Sequence, residues 1–125
     1  MTTFVNGNHR SAPAGADLSA KQYYIVKQSS GNTVLASAAT DKITGVLMNS
    51  PVSGELAQTW LRSAAGTLKV VLGGTVTEGA AVTSDGSGKG IATTTPGDQI
   101  LGYKMGSGSN IAGDIVELMP STAKY

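Results

Sequence analysis

The sequence predicts an all-β domain, a small barrel or sandwich of short antiparallel strands with an extended N-terminal arm. Three observations carry that expectation. Runs rich in Val, Ile, Leu, Thr and Tyr are short, and several alternate apolar and polar residues with a period of two. Seventeen glycines among 125 residues fall between those runs, beside Asn, Asp, Ser and Pro, the residues that make turns. No segment keeps a 3.6-residue apolar period over a dozen positions.

Residues 1–15 read as the arm. Asn6-Gly7-Asn8-His9-Arg10-Ser11-Ala12-Pro13-Ala14-Gly15 has no alternating apolar pattern, so it is expected outside the core. Phe4, the one phenylalanine of the chain, sits there with Val5 and no evident core to enter. Phe4, Val5, Asn8, His9 and Arg10 are therefore the candidate partner-binding residues, on a segment that is either a frayed end or an arm that becomes ordered on a partner. Residues 16–125 form the single β-domain.

Strands are expected at Gln22 to Lys27, Thr33 to Ser37, Lys42 to Met48, Ala57 to Ser63, Thr67 to Leu72, Ala81 to Ser84, Lys89 to Thr94, Gln99 to Met105 and Asp114 to Leu118. In Thr67 to Leu72 the residues Leu68, Val70 and Leu72 share one side and Lys69 takes the other; Val116 and Leu118 oppose Glu117 likewise. Ser53 to Ala64 has a cap-like serine at its start, but Thr59 and Trp60 favour a pleated surface, so strand is preferred to helix there.

Composition excludes several classes of function. Nine basic residues against eight acidic leave a net charge of +1, and the lysines are scattered singly, so no basic stripe for nucleic acid exists. Without cysteine there is neither disulfide nor thiolate metal site. The start lacks the layout of a signal peptide, and no apolar run approaches the roughly 20 residues of a membrane helix; a chain made and kept soluble in a cytoplasm, with no membrane partner, is expected.

The stretch Asp85-Gly86-Ser87-Gly88-Lys89-Gly90 invites a phosphate-loop reading, which fails at both ends. Thr83 stands where the first glycine of G-x-x-x-x-G-K-[ST] belongs, and Gly90 replaces the hydroxyl residue after the lysine. Ile91-Ala92-Thr93-Thr94-Thr95-Pro96 cannot open the helix such a loop needs. The expectation is a hairpin pairing Val82-Thr83-Ser84 with Ile91-Ala92-Thr93. A calcium loop at Asp85 lacks alternate acidic ligands. His9, the single histidine, has no acidic residue within seven positions to orient it. The carboxylates Asp17, Asp41, Glu55, Glu78, Asp85, Asp98, Asp114 and Glu117 mostly flank turns or face outward, which speaks against a glycosidase pair. No enzyme, cofactor or metal is expected.

The order of motifs carries a resemblance. Gly45-Val46-Leu47, Gly54-Glu55, Gly66-Thr67-Leu68-Lys69-Val70, the run Gly79 to Gly90, Ile100-Leu101-Gly102-Tyr103 and Gly113 to Leu118 together resemble the capsid decoration (cement) proteins of tailed bacteriophages, most of all the DUF2190 group, over residues 16 to 119. Ala16-Asp17-Leu18-Ser19-Ala20-Lys21 is similar to the arm-to-barrel junction of lambdoid head decoration proteins. The Gly86 to Gly90 turn is richer in glycine than that pattern. The resemblance implies a non-catalytic virion protein on the capsid exterior, bound to the major capsid protein of an expanded head, bridging its subunits and associating as a homo-oligomer, a trimer by preference. A tail or fibre module, or a binder of host-surface glycans, is the alternative it leaves open.

Overall fold

A computed structural model describes residues 9–63 and 66–125. Among these the protein is all-β, with twelve strands and no helix. The first half supplies β1 (His9–Pro13), β2 (Ile25–Ser29), β3 (Asn32–Leu35), β4 (Ile43–Leu47) and β5 (Leu56–Leu61). The second supplies β6 (Leu68–Val71), β7 (Val76–Thr77), β8 (Ala81–Ser84), β9 (Gly90–Ala92), β10 (Gly102–Lys104), β11 (Ser109–Asn110) and β12 (Ile115–Pro120). Two five-stranded antiparallel sheets result, in the orders β1-β5-β4-β2-β3 and β6-β12-β10-β8-β9, with β7 and β11 paired apart. The layout is sandwich-like rather than a closed barrel.

The two sheets have the same topology, because β6, β8, β9, β10 and β12 take in the second the places of β1 to β5 in the first. Hydrogen bonds repeat with the strands. In each half the residue after the first strand makes a parallel bridge to the third, Ala14 to Thr33 and Leu72 to Gly90. The next amide donates across the same gap, Gly15 N to Thr33 O at 2.9 Å and Gly73 N to Gly90 O at 2.8 Å. Gly54 N donates to Ala14 O as Gly113 N donates to Leu72 O. Tyr23, at φ 70°, stands where the second half has Gly79, at φ 81°; only glycine enters that region without strain, so Tyr23 is a constrained position. The chain is thus a tandem repeat of one five-stranded unit.

Packing follows the strand alternation. Leu68, Val70, Leu72, Val82, Val116 and Leu118 fill the second half, and Ile25, Ala36, Ile43 and Val46 of the first half join that same cluster. A smaller cluster of Ala14, Leu18, Val26, Leu47 and Ala57 lies on the other side of the first sheet. Burial of each large aliphatic contributes about 1.5–3 kcal/mol, so the shared cluster holds the halves together.

The N-terminal boundary needs correction. Residues 1–8 lie outside the described residues, but His9–Pro13 form an edge strand pairing with β5, and Ala12 and Ala14 are buried. The alternation is weak there because Ala12 and Ala14 are small and Pro13 falls between them, so the segment reads as loop although its backbone completes a sheet. Proline is tolerated in β1 because an edge strand leaves one row of amides unpaired.

Candidate functional site

Of the arm residues singled out in the sequence, Phe4, Val5 and Asn8 lie outside the described residues. His9 and Arg10 are exposed at the start of β1, His9 opposite Trp60 and Arg10 opposite Thr59. The Arg10 guanidinium donates to Gln28 Oε1 at 2.7 Å, which holds it across the sheet edge rather than free. His9 and Arg10 both lie at one rim of the first sheet, their side chains on opposite faces as strand alternation requires.

The Asp85 to Gly90 stretch is the turn between β8 and β9, with Val82 opposite Ala92 and Thr83 opposite Ile91, the pairing expected from sequence. Asp85 Oδ1 accepts the amides of Ser87 at 2.8 Å and Lys89 at 2.9 Å. A phosphate would meet that carboxylate in place of free donors. Gly88, at φ 81°, turns its carbonyl to the amide of Ile25 at 2.7 Å. The turn therefore pins the second half to the first.

A second pin is Arg62. Its guanidinium donates to the Ile100 carbonyl at 2.8 Å and to Gln99 Oε1 at 3.0 Å, while the Gln99 amide donates to Ala39 O at 2.8 Å. Burial lowers the Arg62 pKa from its ordinary value, since taking the cation out of water disfavours it. Lys27 pairs with Asp41 at 2.9 Å, and Asp41 Oδ2 also accepts the amides of Ser37 and Ala38. Hydrogen bonding from Ser37, then Lys27, holds the Asp41 carboxyl below the usual carboxylate range.

Between the halves runs a groove that sequence reasoning missed. One part, of about 230 Å³, is lined by Tyr23, Met48, Trp60, Thr67, Leu68 and Lys69. It continues past Tyr23 and Lys69 to Ile115, Val116 and Glu117. The Trp60 indole N–H is buried and finds no acceptor among the described residues. Large apolar side chains are exposed at Val52 and Leu56 in the first half and at Met105, Ile111, Ile115 and Met119 in the second. No group of three or more His, Asp and Glu side chains comes together among the described residues.

No protein-family model matches the sequence, and no curated protein matches it. Among solved structures, the fold is similar to the head fiber gp8.5 N base of bacteriophage phi29, with a TM-score of 0.69 and 19% sequence identity, covering 94% of this chain and 96% of that chain. At that identity the likeness is one of fold.

Proposed function

We propose that this chain is a structural virion protein of a tailed bacteriophage, which binds the outer surface of an expanded icosahedral head and stabilises it by bridging capsid subunits. The observation that supports this reading most is the fold shared, over nearly the whole of both chains, with the base of a phage head fiber. The motif order that resembles capsid decoration proteins points the same way. Its partners are the major capsid protein and further copies of itself; it works without catalysis, cofactor or metal. A ligand that binds only the expanded lattice stabilises that lattice by mass action, and weak contacts suffice when they repeat over a shell.

A second reading, the base of a fibre, is favoured by the same structural neighbour, which is itself the N base of a head fiber. Both readings put the chain on the head. They differ in whether it carries a further protein outward.

The N-terminal residues Phe4, Val5, Asn8, His9 and Arg10 make the contact with the capsid in this proposal. Deleting residues 2–8 stops short of β1 and is expected to leave the melting temperature within error. It is expected to weaken attachment to expanded heads tenfold or more, since two buried apolar side chains contribute about 1.5–3 kcal/mol each. Unchanged attachment by the truncated chain contradicts the arm's role.

A further inference from the structure

The repeat sets two equivalent faces side by side, one covered along its length and the other exposed at its Met119 end. In the first sheet Ile25, Val46 and Trp60 form a cross-strand row. Ile25 and Val46 are fully buried, and Trp60 packs on the same cluster. What covers the row is β6, the first strand of the second half, whose Leu68 and Lys69, with Thr67 just before them, line the groove against Tyr23, Met48 and Trp60. Val71 N donates to Tyr23 O at 3.1 Å as β6 passes.

In the second sheet the corresponding row is Ala81, Tyr103 and Met119. Here Met119 is 55% exposed, and Met105, the counterpart of Met48, is 40% exposed. Ala81 is buried and Tyr103 half-buried, so the open part of this row is its Met119 end, beside Met105. The fold thus holds one closed copy of this interface and a second copy left open at Met105 and Met119. In the repeat, the strand equivalent to β6 is β1, and its own row of His9, Arg10 and Ser11 is exposed.

We propose that the Ala81, Tyr103, Met119 face receives the first half of a second copy of this chain, with the neighbour's β1 taking the place that β6 takes within the chain. The contact is heterologous, joining the second half of one copy to the first half of the next, and so favours a ring where the rotation closes. Two differences weaken it relative to the internal contact, the first being that the cation Arg10 stands where β6 has the buried Leu68. The second is that Pro13 stands where β6 has Val71, so the amide that reaches Tyr23 has no counterpart, and the joint relies on side-chain packing. The proposal deepens the oligomeric part of the function proposed above and rests on it for biological setting, although its structural basis is the repeat alone.

The test uses the full chain in solution. Sedimentation velocity is expected to show concentration-dependent assembly, and Met119→Glu, on an exposed side chain, to raise the dissociation constant at least tenfold with an unchanged melting temperature. Because the chain has no cysteine, His9→Cys and Met119→Cys chains mixed with a short bismaleimide are expected to give 9-to-119 links. A wild-type chain that stays monomeric at about 1 mM, a Met119→Glu variant that assembles like wild type, or links only between copies of position 119, overturns the proposal. The virion reading fails separately. A chain that assembles in this way but never binds heads sinks that reading alone, and one that binds heads as a monomer sinks only the present inference.

Discussion

Gly45 and Gly102 occupy the same position in the two halves, each in a strand and each pressed against a backbone carbonyl of the neighbouring strand, Trp60 in one case and Met119 in the other. A methyl group at either position would overlap that carbonyl oxygen. The obstacle is main chain, so a side chain swinging aside cannot relieve it.

Gly45→Ala and Gly102→Ala are accordingly expected to destabilise the protein by about 1–3 kcal/mol each, or more where the strands are forced apart. Gly74→Ala is the control, since its Cβ would meet only Ile91 at 3.6 Å; there the change is expected to stay within about 0.5 kcal/mol. Denaturant unfolding measures all three.

Arg62 ties β5 to the second half through two acceptors with one planar group. Arg62→Ala is expected to cost about 1.5–3 kcal/mol, the range for hydrogen bonds made by a charged donor. Arg62→Lys is expected to recover less than half of that, because an ammonium cannot hold both acceptors in the guanidinium's geometry. Full recovery by lysine in thermal unfolding would show that only the charge matters.

Lys104 is buried at 3% exposure, and its ammonium faces the carbonyls of Met105, Gly106 and Gly108 at 3.3–3.4 Å with no carboxylate among the partners. The first half places Leu47 there. Lys104→Leu is expected to leave stability unchanged or to raise it, since replacing a buried cation by an apolar group of similar volume is often neutral or stabilising, and the exposed 105–108 turn can give its carbonyls to water. A loss of more than about 2 kcal/mol would assign the lysine a structural role.

The strand positions were legible where burial alternates. Leu68, Val70 and Leu72 face inward and Lys69 outward, as the period of two requires, and the expectation of a strand at Ala57 to Ser63 is met by β5. The hairpin at Asp85 to Gly90 was legible because its glycines and Asp85 dictate a turn by themselves. The repeat was not read, although its signal is present. Asp41, Ile43, Gly45 and Met48 recur in order and spacing as Asp98, Ile100, Gly102 and Met105, and a search for self-similarity would have met it. The halves diverge within that stretch at Leu47 against Lys104 and beyond it at Trp60 against Met119, so composition alone hides the kinship. The groove was invisible for a different reason: Tyr23, Trp60 and Lys69 are far apart in sequence and meet only when the halves pack. β1 was missed because its pairing is carried by the backbone of small residues.

Acid sensitivity is expected to centre on Asp41. Its carboxyl has a lower pKa folded than the ordinary 3.8, so the stabilisation is fully present above that value and is lost as pH falls through the depressed folded pKa. Asp41→Asn is expected to lower stability at neutral pH and to flatten its dependence below pH 3.8. An unaltered acid limb in the variant's unfolding curves would locate the sensitivity elsewhere.

The central claim is the proposed attachment to the outside of an expanded head, and the most direct measurement is co-sedimentation of the purified full chain with expanded and unexpanded heads of the phage proposed as its source. The account predicts saturable binding to expanded heads, with a fixed number of copies per capsid and at least tenfold weaker binding to unexpanded ones. Equal binding to both forms, or none to either, would contradict it.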